Sequence, residues 1–336
     1  MTSDKPTTDK PATDIKFTDL GLAKPILAAI AGEGYDRPTP IQAQAIQPLL
    51  DGADLVGIAQ TGTGKTAAFL LPLLHKLNGD QTKVGQRRSK ALILVPTREL
   101  ATQIADGLRT YGKDVPHKAT VVVGGVKPGG QIRALTPGLD IIIATPGRLL
   151  DHIGTGTVRL DKTTTVILDE ADQMLDLGFM PAIRKIMAKL PNTRQTAMFS
   201  ATMPKLIRKL ADDFLFKPVE VSVAPAAKPI DKIDQSVIHV HQQAKRAVLV
   251  KLLADREVER AIVFTRTKHG ADRVVRHLDK AGLIAAAIHG NKSQNNRQRT
   301  LNAFKSGELR ILVATDVAAR GIDIDDVSHV INFELP

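Results

Sequence analysis

The sequence has no cysteine and no tryptophan, and its 336 residues include only two tyrosines and nine phenylalanines. Without cysteine the chain cannot form disulfides or thiolate metal sites. This composition suits a reducing compartment, and we expect a cytoplasmic protein. No run of about eighteen apolar residues occurs, so no membrane span is expected. The scarcity of aromatic side chains also disfavours base stacking on an aromatic platform.

The rest of the composition is typical of a basic globular protein. Hydrophobic residues make up 43% and charged residues 24%, and this length suggests two domains of ordinary size. The net charge of +11 favours a polyanionic partner. With so few aromatics, contacts with that partner should go mainly through phosphate and sugar. Residues 1–14 are polar and contain prolines, so they are expected to be a disordered tail rather than a signal peptide.

Apolar runs of strand length alternate with helical runs, which predicts an α/β fold with parallel sheets covered on both faces. Helices are expected between the strands, for example over 98–113 and 204–212. The predicted strands of the first half cover 55–58, 91–95, 120–123, 140–144, 165–168, 196–199 and 219–223.

The second half repeats part of the first. The run beginning at Ala91 is echoed at Ala261, and the run beginning at Asp140 is echoed at Arg310; both echoes lie 170 residues downstream. Matched order and matched offset indicate two similar domains in tandem, over 15–223 and 233–336, with a linker at 224–232. Only the first carries a phosphate loop. Ligands are expected in a cleft at the carboxyl ends of the strands.

Residues 59–66, Ala-Gln-Thr-Gly-Thr-Gly-Lys-Thr, follow a predicted strand and precede a helical run. This is the context of a phosphate-binding loop, in which glycine backbone amides and the helix dipole attract an anion. Lys65 can reach the outer phosphates and Thr66 can bind magnesium. The usual pattern begins with glycine, whereas Ala59 stands here. By itself the segment is also compatible with a simple turn.

A second chemical signal is the acidic tetrad Asp-Glu-Ala-Asp at 169–172, which follows the predicted strand 165–168. Asp169 is placed to hold a metal through water, and Glu170 to orient or deprotonate an attacking water. Alone, the tetrad is also compatible with a solvated acidic turn. The two signals in this order, each after a buried strand, predict a nucleoside triphosphatase.

With these motifs and the duplication, the chain resembles the DEAD-box ATP-dependent RNA helicases from Phe17 to its end. The segments 263–270 and 287–294 make it look closest to the bacterial RhlE type. In that family alanine at position 59 is normal. The resemblance implies two tandem RecA-like domains that use ATP and Mg²⁺.

The resemblance also assigns nucleotide-binding residues. Phe17 would pack on the adenine while Gln42 makes paired hydrogen bonds to its edge, as a side-chain amide can. The segment 38–42 is equally a good helix start, and both interpretations can hold. Asp323 matches the residue that binds the ribose. The phosphates would be held by the loop residues Thr61, Gly62, Thr63, Gly64, Lys65 and Thr66.

RNA contacts are implied by the same likeness, through backbone rather than bases and with little sequence preference. Ser200 and Thr202 match the motif that couples hydrolysis to strand separation, and their hydroxyls are expected near Asp172. The implied RNA-binding residues are Pro96, Thr97, Arg98, Gly124, Gly125, Thr145, Arg148, Thr265, Gln294, Arg297 and Thr315. Taken one at a time, the first-domain segments are also compatible with ordinary turns.

The implied function is an RNA-dependent ATPase that closes its two domains on ATP and RNA and locally separates short duplexes. A GTPase switch is a rival, but 267–270 and 291–294 both lack the final Asp of a guanine-binding motif. A non-catalytic, ATP-gated RNA clamp is the other alternative.

The family continues with a His-Arg-x-Gly-Arg helix beyond the strand expected near Val330, whereas this sequence ends at Pro336. We therefore expect an incomplete second domain and impaired hydrolysis. Arg320 is the nearest arginine that could replace those of the missing helix, although its place in an Ala-Ala-Arg-Gly turn favours a structural role.

Overall fold

The computed structural model describes residues 15–80, 82–223, 233–315 and 326–334. The chain divides into two compact units, Met1–Pro229 and Ile230–Pro336. The predicted tail 1–14, the predicted linker 224–232 and Asp323 lie outside the described residues, as does the side chain of Gln294.

The first unit is built on a seven-stranded parallel sheet in the order β3-β4-β2-β5-β6-β1-β7. Each bound lies within two residues of the predicted one, because short apolar runs in this sequence end at glycine or polar residues. The strands are β1 (Leu55–Ile58), β2 (Ser89–Leu94), β3 (Ala119–Val122), β4 (Leu139–Ala144), β5 (Thr165–Leu168), β6 (Gln195–Ser200) and β7 (Val219–Ser222).

Helices cover both faces of this sheet, and alternation along the strands divides the core in two. Ile93 and Ile141 pack in one apolar cluster, and their neighbours Leu92 and Ile142 pack in the other. A 3-10 helix, Phe17–Leu20, joins the first cluster. The helices are α1 (Lys24–Gly32), α2 (Pro40–Leu50), α3 (Lys65–Gly79), α4 (Arg98–Tyr111), α5 (Pro128–Leu135), α6 (Pro146–Gly154), α7 (Ala171–Asp176), α8 (Met180–Met187) and α9 (Lys205–Phe214).

The second unit contains a four-stranded parallel sheet in the order β11-β8-β10-β9. Strand β9 was not predicted from the sequence, because its alanines have little intrinsic preference for strands. The elements are β8 (Ala261–Phe264), β9 (Ala285–Ile288), β10 (Ile311–Ala314), β11 (His329–Asn332), α10 (Lys245–Leu253), α11 (Lys268–Lys280) and α12 (Gln294–Lys305).

Candidate active site

The carboxyl ends of the first unit's strands form one row, and a predicted motif follows each of six strands. Leu94 pairs in register with Ala144 and Leu168, and Ile58 pairs with Ser200. Along the row, the segments of Gly124, Thr145, Thr97, the acidic tetrad, Thr202 and the phosphate loop succeed one another. The tetrad thus lies on the central strand β5, between the predicted RNA-contact segments and the phosphate loop.

The phosphate loop bridges β1 and α3. Gly62 and Gly64 adopt positive φ angles of 77° and 90°, a conformation that costs glycine least. Thr63 Oγ1 donates to the Gln60 carbonyl at 2.7 Å, which closes the turn. Thr61 and Gly62 are exposed and Thr66 is half-buried in the first turn of α3. The loop therefore presents its backbone at the amino end of a helix, where an anion is favoured.

Lys65 is the cation of this loop. Its side chain is 6% exposed, and Nζ has no hydrogen-bond partner among the residues that the structure describes. A buried ammonium group without partners is costly unless a counter-charge binds it. The Lys65 side chain is also close enough to Asp169 and Glu170 to lower the pKa of both carboxyls. This arrangement fits an anionic ligand at the loop.

The first two carboxylates of the tetrad are buried, and burial disfavours their ionised forms. Burial raises the pKa of Asp169 to about 6. Burial and the adjacent Asp169 carboxylate raise the pKa of Glu170 to about 7. Glu170 also has a left-handed backbone, with φ 52° and ψ 53°, and its N–H donates to Asp169 Oδ1 at 3.0 Å. Strain and desolvation at adjacent acidic residues are features of a functional site.

Asp172, the last residue of the tetrad, is hydrogen-bonded to the segment that follows β6. Its Oδ2 accepts from both the backbone N–H and Oγ1 of Thr202 at 2.9 Å. Ser200 Oγ accepts from the Asp172 N–H at 3.2 Å and donates to the Thr202 carbonyl at 2.7 Å. The tetrad and the Ser200–Thr202 segment are therefore joined by side-chain bonds as well as by the sheet.

Gln42 connects the start of α2 with the phosphate loop. Its Oε1 accepts from the Thr39 N–H at 2.9 Å, and its Nε2 donates to the Gly64 carbonyl at 3.1 Å. A Cβ on Gly64 would overlap the Gln42 amide, so the close approach requires glycine. An amide has two N–H groups and two oxygen lone pairs, so one of each is left for an adenine edge. The helix-start and adenine-binding interpretations are thus compatible.

Phe17 lies in the 3-10 helix and is 6% exposed, packed in the first apolar cluster. In this conformation its ring contributes to the core. Base stacking by Phe17 stays a prediction.

The segment after β2 begins helix α4. Pro96 is buried, and Thr97 caps the helix by accepting from the Leu100 N–H at 3.2 Å. Arg98 extends to the turn after β3, where a Cβ on Gly125 would overlap its guanidinium group. Gly125 also has a positive φ of 71°. Thr97, Arg98 and the adjacent Gly124 and Gly125 therefore belong to one local surface.

The segment after β4 joins the same surface. Thr145 is buried, and its N–H donates to the Val122 carbonyl at 3.0 Å. Arg148 donates to the Val126 carbonyl at 3.1 Å and lies 3.7 Å from the Asp151 carboxylate. The first unit thus brings together every RNA-contact residue that was predicted within it.

Two buried residues behind this surface were missed by the sequence reasoning. Gln131 on α5 donates to the Val123 carbonyl at 2.9 Å, and His152 Nε2 on α6 lies 3.0 Å from Gln131 Oε1. Burial, followed by the positive charge of Arg148, lowers the pKa of His152, while Asp151 opposes the shift. No sequence spacing indicates this pair, because its partners lie 21 residues apart on different helices.

In the second unit, predicted RNA-contact residues also follow strand ends. Thr265 is 1% exposed, and its N–H donates to the Ala314 carbonyl at 2.9 Å; the Thr315 N–H donates to the Ile288 carbonyl at 3.4 Å. Gln294 begins helix α12, and Arg297 lies in its first turn. A further cluster was not predicted: Asp272 lies 3.0 Å from His289 and 2.9 Å from Lys292.

The described residues include no group of three or more His, Asp or Glu side chains that would hold a metal ion. Within the same ranges, no helix combines the length and apolar character needed to cross a membrane.

This architecture, a phosphate loop on one of two parallel-sheet units, defines a protein with tandem RecA-like domains. Residues 39–210 match the DEAD/DEAH box helicase family, and residues 244–336 match the helicase conserved C-terminal domain. The chain belongs to the DEAD/DEAH box helicase family, as its motifs predicted.

Curated relatives of the chain are named ATP-dependent RNA helicases. The chain is 43% identical over 318 residues to the ATP-dependent RNA helicase DeaD of Escherichia coli (strain K12), covering 94% of this chain and 50% of that protein. It is 43% identical over 315 residues to the DEAD-box ATP-dependent RNA helicase CshA of Bacillus subtilis (strain 168), covering 94% and 63%. The chain thus spans about half the length of the DeaD relative. The RhlE subclass stays a prediction.

Solved structures show the same fold. Dbp5 of S. cerevisiae, bound to RNA and ADP BeF3, matches with a TM-score of 0.84 and 30% identity, covering 96% of this chain and 81% of that chain. A DEAD box protein from the hyperthermophile Methanococcus jannaschii matches with a TM-score of 0.58 and 37% identity, covering 96% and 85%.

Proposed function

We propose that the chain is an RNA-dependent ATPase that binds the backbone of single-stranded RNA and locally separates short duplexes. The observation that carries the nucleotide part is Lys65, a buried ammonium group at the amino end of α3 that has no hydrogen-bond partner in the described part of the chain. The loop 61–66 would hold the phosphates, Gln42 and Phe17 the adenine, and Asp323 the ribose.

Magnesium fits the oxygen donors at this site. Thr66 Oγ1 and the Asp169 carboxylate would hold it, the latter through water. Mg²⁺ usually keeps several waters and takes only one or two protein ligands besides phosphate oxygens, so a three-residue cluster is not required. When bound, it would neutralise charge on the outer phosphates.

Glu170 is the proposed group that orients or deprotonates the attacking water. Its pKa of about 7 places its ionisation near neutral pH, where a general base is most useful. Its left-handed backbone holds the carboxylate at the end of β5.

RNA would bind across the surface formed by Thr97, Arg98, Gly125 and Arg148 in the first unit. The second unit would contribute Thr265, Gln294, Arg297 and Thr315. Bare glycine backbone and guanidinium groups suit sugar–phosphate contacts, which carry little sequence information. The charge of +11 and the likeness to a helicase structure bound to RNA support the proposal. Closure of the two domains and a cytoplasmic location are also proposed.

The test is ATP hydrolysis by the 336-residue chain with and without single-stranded RNA, with Lys65→Ala as the inactive control. We expect RNA to stimulate hydrolysis, single-stranded DNA of the same sequence to stimulate it less, and GTP to be a poor substrate. Equal use of GTP, or hydrolysis indifferent to RNA, would contradict the proposal. Equal RNA release with ATP and with a non-hydrolysable analogue would instead support a clamp.

A further inference from the structure

The turn after β3 carries the glycines predicted to contact RNA, and side chains hold it at both ends. At its start, the Val123 carbonyl accepts from Gln131 Nε2 at 2.9 Å. At its end, the Val126 carbonyl accepts from Arg148 at 3.1 Å. Gly124 and Gly125 lie between these anchors. Since glycine restricts its own backbone least, the position of the turn depends on the anchors.

The two anchors are connected to each other. Gln131 is 7% and His152 is 3% exposed, and His152 Nε2 lies 3.0 Å from Gln131 Oε1. Since the Gln131 amide nitrogen donates to Val123, its oxygen accepts and the histidine ring nitrogen donates. His152 and Arg148 belong to the same helix, α6. The contacts therefore form a closed ring through the turn, α5 and α6.

Breaking this ring has a local cost. Without the Gln131 amide, the Val123 carbonyl and the His152 ring nitrogen each lose a buried hydrogen-bond partner. Such groups are expensive to leave unsatisfied, so the turn and the helices would move until water or another group reached them. That movement would displace Gly125 relative to Arg148, two groups predicted to contact the same RNA strand.

We propose that Gln131 and His152 are positioning residues for RNA, which set the glycine turn and helix α6 in the spacing that a sugar–phosphate backbone needs. Neither residue need touch RNA or nucleotide. The inference deepens the proposed function and rests on it. It predicts a loss of RNA affinity with no loss of ATP affinity.

The chain offers a matched control at the other end of the strands of the same sheet, where the strands begin. Gln195, at the amino end of β6, also ties two backbone segments: its Nε2 donates to the Leu49 carbonyl at 2.9 Å and to the Ala53 carbonyl at 3.0 Å. Leucine at either position removes a neutral amide without changing charge. Gln131→Leu and Gln195→Leu should therefore both lower stability, while only the first should affect RNA binding.

The experiment measures binding of a fluorescent single-stranded RNA in the presence of Mg²⁺ and a non-hydrolysable ATP analogue. For Gln131→Leu we expect the Kd for RNA to rise about tenfold, because a displaced glycine turn should lose roughly one hydrogen bond to the RNA backbone. The Kd for a fluorescent ATP analogue without RNA should stay within about twofold of the parent's. Gln195→Leu should lower the melting temperature by a similar amount but leave both Kd values unchanged.

A second pair of variants covers the case in which Gln131→Leu fails to fold. His152→Gln keeps a donor for the Gln131 oxygen and should retain RNA affinity, whereas His152→Leu should weaken it. Equal RNA affinities for parent, Gln131→Leu and His152→Leu would overturn the inference. Equal losses in Gln131→Leu and Gln195→Leu would also overturn it. Failure of the parent itself to bind RNA would instead refute the proposed function, and the inference with it.

Discussion

Thr202 and Asp172 are joined by two hydrogen bonds of 2.9 Å, from the threonine N–H and from its hydroxyl to one carboxylate oxygen. Asp172 lies after β5 and Thr202 after β6, so the pair ties the acidic tetrad to the neighbouring strand. The Asp172 carboxylate therefore connects the tetrad directly to the segment 200–202.

Removing only the hydroxyl bond tests this connection. Thr202→Val keeps the backbone bond and the side-chain shape, and it loses about 1 kcal/mol of hydrogen bonding. We expect the rate of ATP hydrolysis to stay within about twofold of the parent's. The number of duplexes separated per ATP hydrolysed should fall about fivefold. Thr82→Val is the control, because the Thr82 hydroxyl and N–H likewise donate to one carboxylate oxygen, that of Asp80. Parallel loss of hydrolysis and separation would show that Thr202 does not couple them.

Lys65→Ala should abolish productive ATP binding, because it removes the buried cation of the phosphate loop. We expect affinity for ATP to fall at least about a hundredfold. Lys76→Ala, on the same helix but hydrogen-bonded to Thr165 rather than to the loop, is the matched control and should bind ATP normally. Hydrolysis by Lys65→Ala within about tenfold of the parent at saturating ATP would rule out the phosphate-loop assignment.

Glu170→Gln should retain ATP and RNA in a long-lived complex, because it keeps the shape of the side chain and removes the carboxylate that acts on water. Single-turnover hydrolysis and RNA dissociation measure this. Normal turnover by the variant would show that Glu170 is not the catalytic base.

The same substitution should stabilise the ligand-free protein in EDTA. The folded-state pKa of Glu170 is raised from 4.5 to about 7, so ionisation is disfavoured by folding. The unfolded chain releases this proton first, and stability falls as pH rises between those values. At pH 8 Glu170→Gln should gain about 3 kcal/mol over the parent, and most of the gain should be lost by pH 4.5. Urea unfolding of both proteins between pH 4.5 and 8 measures this gain, and a difference that does not change with pH would contradict the prediction.

Gln42→Ala should weaken ATP binding and reduce discrimination against GTP, since it removes both the proposed adenine contact and the bond to the Gly64 carbonyl. Gln47→Ala changes an exposed glutamine of the same helix and serves as the control. Competition of GTP against a fluorescent ATP analogue measures selectivity. An unchanged preference would leave Gln42 as a helix-capping residue only.

The sequence alone determined the local elements and the identity of the family. The loop 59–66 and the acidic tetrad are each a continuous stretch of sequence. Short apolar runs between polar residues predicted the bounds of the first unit's strands within two residues. These features depend on neighbours in the chain, so they can be inferred without the fold. Strand β9 was not predicted, because alanine is typical of helices and buried positions rather than of strands.

Only the tertiary structure decided which segments meet. The strand order places β5 between β2 and β6, and so brings Asp169 and Glu170 near Lys65, about a hundred residues earlier in the chain. It also brings Gln131 against His152, and the burial of Glu170 raises its pKa. Strand order, side-chain partners and desolvation arise from packing between distant segments, and no local pattern of residues encodes them.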